Sequence, residues 1–166
     1  MTSRVTSCYI PKAYLSNPTT DRDIGLCFLD RNVGDIVDAT IPMKPIPDNS
    51  FFNKYPIQVV GYPAGSHFDF GKQMWHSNGP YLMGQSNGPD ASYSPVVASD
   101  FGGGASGCPW LAKINDEYFA VGITSGHAKL RYDDADHNLM SLTSPLFTQQ
   151  LFDELSDHHE YHEFAV

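Results

Sequence analysis

One serine, Ser106, lies in a glycine-rich segment whose composition suits nucleophilic chemistry. Residues 102–110 read GGGASGCPW, with three glycines shortly before the serine and one directly after it. Glycine adopts backbone conformations closed to residues with a Cβ atom, so consecutive N–H groups can turn toward one point beside the hydroxyl. An oxyanion would lie at that point. Because a glycine-rich stretch around a serine is more often an ordinary turn, the interpretation depends on the flanking residues.

The residues that follow Ser106 predict an antiparallel hairpin. Residues 109–113 and 117–124 are apolar runs typical of strands, and Asn115 and Asp116 between them suit a tight turn. The hairpin would begin directly after the serine and hold its loop in place.

Further upstream, Asp23 stands directly before the apolar run 24–29. An aspartate in that position is by itself usually an exposed turn residue or a strand cap. Asp21 is a nearby competitor for any chemical role, and the start of the apolar run directly after Asp23 favours Asp23.

Four segments, in chain order, resemble the chymotrypsin/trypsin-like serine proteases. Residues 102–110 resemble the family's nucleophile loop, usually Gly-Asp-Ser-Gly-Gly-Pro, and resemble more closely the Gly-Ala/Asn-Ser-Gly-Gly/Ser-Pro of bacterial glutamyl-endopeptidase-like members. Residues 121–126 resemble Val-Gly-Ile-Val-Ser-Trp-Gly, residues 19–29 resemble Asp-Ile-Ala-Leu-Leu-Xaa-Leu, and residues 57–63 resemble Val-Xaa-Gly-Tyr-Pro. The resemblance implies a serine-type endopeptidase that acts on proteins or peptides.

The resemblance also implies a catalytic role for each matching residue. Ser106 would be the nucleophile, and Asp23 would be the carboxylate that orients a histidine general base. The N–H groups of Gly104 and Ser106 would form the oxyanion hole.

The family places its catalytic histidine before the aspartate, but all seven histidines of this chain follow Asp23. They are His67, His76, His127, His137, His158, His159 and His162. Three explanations stay open: a fragment lacking an N-terminal part with the histidine, a degenerate homologue, or a downstream histidine such as His127 acting instead. We expect the first, so that the chain alone has negligible peptidase activity. The alternative function is an inactive homologue that binds peptides or partner proteins.

Four residues are candidates for substrate binding by the same resemblance. The segment carrying Thr124, Ser125 and Gly126 would pair with the substrate as an added strand. Asp100, six residues before Ser106, stands where trypsin-like members place a carboxylate at the base of the specificity pocket, which would favour Lys or Arg. A loop-bracing aspartate is an equal alternative. Thr124 stands where glutamyl-specific members have a histidine, which weakens a glutamate preference.

Composition and segment order predict the architecture. The 14 glycines, 12 prolines and 13% aromatic residues, with many short apolar runs, favour an all-β protein. The resemblance implies two barrels, the first incomplete over residues 1–37, a connection over 38–56, a complete second barrel over 57–147, and a C-terminal helix and tail over 148–166. The incomplete barrel is expected to expose strand edges that could pair with another chain.

Shorter patterns complete the expected architecture. Residues 72–76 are expected to form a strand, and two more are expected around Gly84 and Gly88. Residues 144–147 are expected to form the last barrel strand. The tail, with His158 and His162 at i, i+4 spacing, could bind a metal weakly, but a frayed polar helix end is expected.

Charge and cysteine content limit the possible partners. The net charge of −9 argues against nucleic acid, and no apolar run is long enough to cross a bilayer. Family resemblance implies a secreted or periplasmic protein. The three cysteines leave at least one without an intrachain partner. Cys27 is expected to be a small buried hydrophobe. Cys108 stands where the family has glycine or serine, which puts the packing behind the loop in question. No metal or cofactor is expected.

Overall fold

The computed structural model describes residues 2–86, 93–128, 130–131, 138–156 and 161–165. Within them the strands are β1 (Val5–Pro11), β2 (Leu26–Leu29), β3 (Ile57–Gly61), β4 (Trp75–Gly79), β5 (Tyr81–Ser86), β6 (Tyr93–Ala98), β7 (Pro109–Ile114), β8 (Glu117–Ile123), β9 (Leu130–Arg131), β10 (Asn138–Leu139), β11 (Ser141–Thr143) and β12 (Tyr161–Ala165). The α-helices are α1 (Lys12–Ser16), α2 (Val33–Val37), α3 (Phe51–Lys54) and α4 (Gln149–Ser156). None of the described helices is long and apolar enough to cross a membrane.

Two antiparallel sheets form the main body of the protein. One has the strand order β4-β3-β7-β8 and the other β11-β6-β5. They are joined where the N–H of Ser125, after β8, bonds the carbonyl of Thr143 in β11, and where Pro80 connects β4 to β5. The main core lies between the sheets, around the fully buried Trp110.

The predicted hairpin after the nucleophile loop is confirmed as β7 and β8. Asn115 and Asp116 both have positive φ, 50° and 69°. Successive positive φ values are those of the tight turn that matches strand twist, and Asn and Asp tolerate them.

A separate three-stranded sheet has the order β12-β1-β2, with β1 in the middle. The sequence predicted a frayed helix end for residues 157–163, of which 157–160 lie outside the described residues. For residues 161–163 the prediction is wrong, because they begin β12, which pairs with β1. Strand β2 lies at the edge, and its Phe28 and Leu29 are exposed. Pairing of this edge with another chain stays a prediction.

The predicted C-terminal helix is confirmed as α4. Its Leu151 and Leu155 lie in one buried cluster with Phe147 and with Ile24, which follows Asp23. Leu151 and Leu155, four residues apart, lie on one face of α4, and Phe147 lies two residues before the helix begins. Helix α4 therefore anchors the segment that carries Asp23.

Three features of the fold differ from expectation. Strand β4 begins at Trp75 rather than at residue 72, because residues 66–71 form a 3₁₀ turn in which Asp69 and Phe70 have positive φ. The strand expected over residues 144–147 is not formed, because β11 ends at Thr143 and the buried Ser144 accepts a hydrogen bond from the N–H of Ile123. The connection 38–56 includes α3 and packs into the main core rather than only crossing the surface. Gly88 lies outside the described residues.

Candidate active site

The loop carrying Ser106 is shaped by two glycines in the left-handed region. Gly104 has φ +87° and Gly107 has φ +80°. A Cβ at Gly104 would lie 2.8 Å from the backbone nitrogen of Ala64 and 3.1 Å from the carbonyl oxygen of Tyr62. Glycine is therefore required there both for its dihedral angle and for the close approach of the neighbouring backbone.

The loop is also held by hydrogen bonds to its surroundings. The N–H of Ala64 donates to the carbonyl of Gly103 at 2.7 Å, and the N–H of Gly107 donates to the carbonyl of Thr124 at 2.9 Å. These bonds fix the backbone on both sides of Ser106, whose side chain is exposed.

Several N–H groups in this loop have no acceptor in the described part of the chain: those of Gly102 and Gly103, and those of Gly104 and Ser106. The sequence predicts that the N–H groups of Gly104 and Ser106 form the oxyanion hole. An anion site needs such donors to be unoccupied before the ligand binds.

An apolar groove of about 440 Å³ lies beside Ser106. Its lining includes Ile41, Tyr62, Met74 and Leu111. Ile41, Tyr62 and Met74 are each about half exposed or more, at 50%, 53% and 63%. The serine hydroxyl is therefore next to a surface that can accommodate apolar groups.

Asp23 is held by hydroxyl groups. Ser125 Oγ donates to Asp23 Oδ2 at 2.6 Å, and the Tyr14 hydroxyl also hydrogen-bonds the carboxylate. The charge of Asp23, with a smaller effect of burial, raises the pKa of the Tyr14 phenol above its ordinary value. Nothing in the sequence singles out Tyr14, because its contact with Asp23 depends on how α1 packs.

Residues around Asp23 fix its position. Ile24 is buried in the cluster with α4, and Arg22 pairs with Glu154 of that helix. The competing Asp21 is buried and lies 3.9 Å from the Arg22 guanidinium. The bond from Ser125 places Asp23 beside the segment that follows β8.

One segment connects the two predicted catalytic residues. Thr124 accepts the bond from Gly107, next to Ser106, and its neighbour Ser125 binds Asp23. The structure therefore brings Ser106 and Asp23 to the same two-residue stretch, although no hydrogen bond joins them directly.

No described imidazole bonds to Ser106 or to Asp23. His127 is exposed, and its Nδ1 lies 3.0 Å from the carbonyl of Ser141, to which it can donate. His67 packs on Phe68 at a centroid distance of 4.0 Å. His137, His158 and His159 lie outside the described part of the chain.

The substrate-binding candidates separate into two groups. Thr124 is 5% exposed, and its hydroxyl accepts a 3.0 Å bond from the indole N–H of Trp110. The Thr124 side chain therefore belongs to the core, and pairing of the segment that carries Thr124 with a substrate stays a prediction. Asp100 is exposed, so the alternative of a buried carboxylate at a pocket base has no support from its burial.

Ser125 and Gly126 have a different environment. Both are half-buried, and the N–H of Ser125 and the carbonyl of Gly126 bond to Thr143. The carbonyl of Ser125 and the N–H of His127 take no hydrogen bond from the described residues. This backbone has groups available for an added strand.

The Cys108 side chain packs behind the serine loop, against Gly61. It is 7% exposed, and burial raises the pKa of its thiol. A Cβ on Gly61 would lie 1.8 Å from the Cys108 sulfur. The larger side chain at position 108 is therefore accommodated by the absence of one at position 61. In the described part of the chain no group of three or more His, Cys, Asp or Glu residues could hold a metal ion.

No protein-family model and no curated protein matches this sequence. Solved structures do match it, among them two bacterial proteases with low sequence identity. The protease Anisep from Arthrobacter nicotinovorans aligns with a TM-score of 0.66 and 17% identity over 91% of this chain and 64% of its own. The thermostable serine protease AL20, from an extremophilic microorganism, aligns with a TM-score of 0.61 and 18% identity over 87% of this chain and 62% of its own.

This chain thus spans less than two thirds of each of these proteases. The expected all-β class is confirmed, with antiparallel sheets and a short C-terminal helix. Similarity at this identity shows the fold, and the fold is that of the chymotrypsin-like serine proteases.

Proposed function

We propose that this chain is part of a serine-type endopeptidase, of the trypsin-like kind and closest to the glutamyl-endopeptidase-like members. Ser106 is the nucleophile and Asp23 is the carboxylate of the triad. The general base is a histidine supplied from outside these 166 residues. One observation carries the proposal. Thr124 accepts a hydrogen bond from the serine loop, and the next residue, Ser125, donates one to the Asp23 carboxylate.

The proposed reaction is acyl transfer. Ser106 Oγ attacks the peptide carbonyl carbon while its proton passes to the imidazole, which Asp23 orients and stabilises when protonated. The N–H groups of Gly104 and Ser106 bind the oxyanion. The imidazolium then gives the proton to the leaving amine, and water releases the acyl group from Ser106 by the same steps in reverse.

The open backbone after β8 supports a peptide substrate. An extended peptide bonded to the Ser125 carbonyl and the His127 N–H would lie as an added strand beside the serine. The apolar groove near Tyr62 and Met74 would accept a neighbouring side chain. A substrate of this kind suits a secreted or periplasmic enzyme.

One observation favours a second function. The carboxylate of Asp23 already has a partner in the Tyr14 hydroxyl, which is not a member of the triad. An inactive homologue that uses the cleft only to bind peptides would keep this arrangement.

Chemical rescue tests the proposal. The isolated chain is incubated with a fluorophosphonate probe at increasing concentrations of free imidazole, and labelling is located by peptide mass mapping. Labelling of Ser106 should be negligible without imidazole and should rise with imidazole concentration, because a diffusible base then takes the hydroxyl proton. Since triad members act as a unit, Asp23→Asn should reduce the imidazole-dependent increase.

Ser106→Ala is the matched control and should abolish labelling at that peptide. Labelling that is independent of imidazole and of Asp23 would contradict the triad. Binding of an extended peptide to the Ser106→Ala chain, without any imidazole-dependent labelling of the unchanged chain, would instead support the binding module.

A further inference from the structure

Two cysteines face each other on neighbouring strands of the N-terminal sheet. Cys8 of β1 and Cys27 of β2 are direct partners in the antiparallel register. Their sulfur atoms are 3.3 Å apart. Directly opposed residues in an antiparallel pair have Cα separations of about 4.5–5.5 Å. That range lies within the separation that a disulfide spans.

The pair is accessible from one side. The sequence predicted Cys27 to be buried, and this is wrong, because Cys27 is exposed on the edge strand while Cys8 is half-buried on the central strand. Beside them, Tyr9 and Phe28 pack edge to face at 5.1 Å. A small thiol reagent can reach Cys27 without unfolding the sheet.

The two sulfurs differ in their environments. Cys8 is hydrogen-bonded to Cys27, and this bond, with smaller effects of desolvation and of charge on Cys27, raises the pKa of the Cys8 thiol. Because Cys27 is exposed and Cys8 is half-buried, a small disulfide reaches the Cys27 sulfur first. The opposed Cys8 sulfur, 3.3 Å away, is placed to attack second.

We propose that Cys8 and Cys27 are a reversible thiol–disulfide exchange site. A small-molecule disulfide of the glutathione class is the oxidant. The Cys27 thiolate attacks one sulfur of this disulfide, which forms a mixed disulfide and releases one small thiol. Cys8 then loses its proton and attacks the Cys27 sulfur, which forms the Cys8–Cys27 bond and releases the second small thiol. Two electrons pass from the protein to the oxidant.

The Cys8–Cys27 disulfide would constrain the segment that carries Asp23, the candidate catalytic carboxylate. Cys8 and Cys27 are 19 residues apart in sequence, and the loop between them contains both Tyr14 and Asp23. A crosslink at the base of this loop reduces the conformational freedom of the unfolded chain. Oxidation should therefore stabilise the protein whether or not it is a protease.

The test is oxidation of the folded 166-residue chain in buffers with defined ratios of glutathione disulfide to glutathione. Intact mass should fall by two hydrogens, and mapping without reductant should join the peptides of Cys8 and Cys27. Cys108 is buried and should remain a free thiol. The midpoint of thermal unfolding should rise by about 5–10 °C on oxidation, as expected for a loop of this length in a chain of this size.

Cys8→Ser is the matched variant. It should stop at the mixed disulfide on Cys27, and its unfolding midpoint should not depend on the redox buffer. The proposal is overturned if the unchanged chain also stops at the mixed disulfide. It is equally overturned if the unfolding midpoint is the same in oxidising and reducing buffer, a measurement that needs no variant.

Discussion

Ser125 Oγ donates a 2.6 Å hydrogen bond to Oδ2 of Asp23, which lies 102 residues earlier in the chain. The bond crosses from the N-terminal segment to the end of β8 in the main body. Because the acceptor is a carboxylate and both side chains are half-buried, the bond is stronger than one between neutral exposed groups. It is the contact that sets the position of Asp23 relative to the loop of Ser106.

Ser125→Ala should lower the free energy of unfolding by about 1–2 kcal/mol near neutral pH, since a bond to a charged group is lost in a partly solvated place. Urea denaturation measures the change. Asp23→Asn and the double variant complete a double-mutant cycle, in which we expect a coupling of about 1 kcal/mol. Additive effects of the two substitutions would show that the bond contributes nothing.

The local parts of this site are predictable from sequence. The glycines around Ser106, the Asn115 to Asp116 turn and the four-residue spacing in α4 each depend on neighbouring residues alone. Backbone preference and helical periodicity act over a few positions, so residue types reveal them directly.

The long-range parts are not predictable in the same way. The contact of Tyr14 with Asp23 and the opposition of Cys8 and Cys27 depend on the register and packing of distant segments. A shift of one residue in a strand exchanges its two faces, and no residue type near Cys27 specifies which face is solvated. The bond of Thr124 to Trp110 also depends on such packing, because a short polar side chain suits either an exposed loop or a buried hydrogen bond.

Gly104→Ala should destabilise the protein by about 1–3 kcal/mol, because alanine at φ +87° is strained and its Cβ would approach Ala64 too closely. Gly103→Ala is the matched control. A Cβ there has nothing within 4 Å, so its effect should be within about 0.5 kcal/mol of zero. Thermal or urea unfolding measures both. Equal effects at the two positions would contradict the described loop conformation.

Thr124→Val should cost about 1–3 kcal/mol of unfolding free energy, because it leaves the buried indole N–H of Trp110 without its acceptor while keeping the side-chain shape. Thr124→Ser retains the hydroxyl and should lose only about 0.8 kcal/mol for the missing methyl group. If Thr124 contacted substrate instead, Thr124→Val would alter peptide binding while leaving stability unchanged.

The pH titration of Tyr14 tests its contact with Asp23. The negative charge of Asp23 disfavours the phenolate, so the pKa of Tyr14 lies above its ordinary value of 10.0 in the folded chain. The contribution of the neutral Tyr14 phenol to the free energy of unfolding is complete below pH 10.0 and is lost as the pH rises through the pKa of Tyr14 in the folded chain. Relative to Tyr14→Phe, the unchanged chain should therefore lose stability in strongly alkaline buffer.

Ultraviolet titration of tyrosinate measures the same group directly. Subtracting the Tyr14→Phe titration from that of the unchanged chain should leave one phenol that ionises above pH 10.0. Asp23→Asn should shift this component to lower pH, because the amide keeps a hydrogen-bonding oxygen but removes the charge. If this phenol ionised at or below pH 10.0, or if Asp23→Asn did not shift its titration, Tyr14 would not face the carboxylate. The space beside Asp23 would then be open to an imidazole from elsewhere, which would weaken the binding-module alternative.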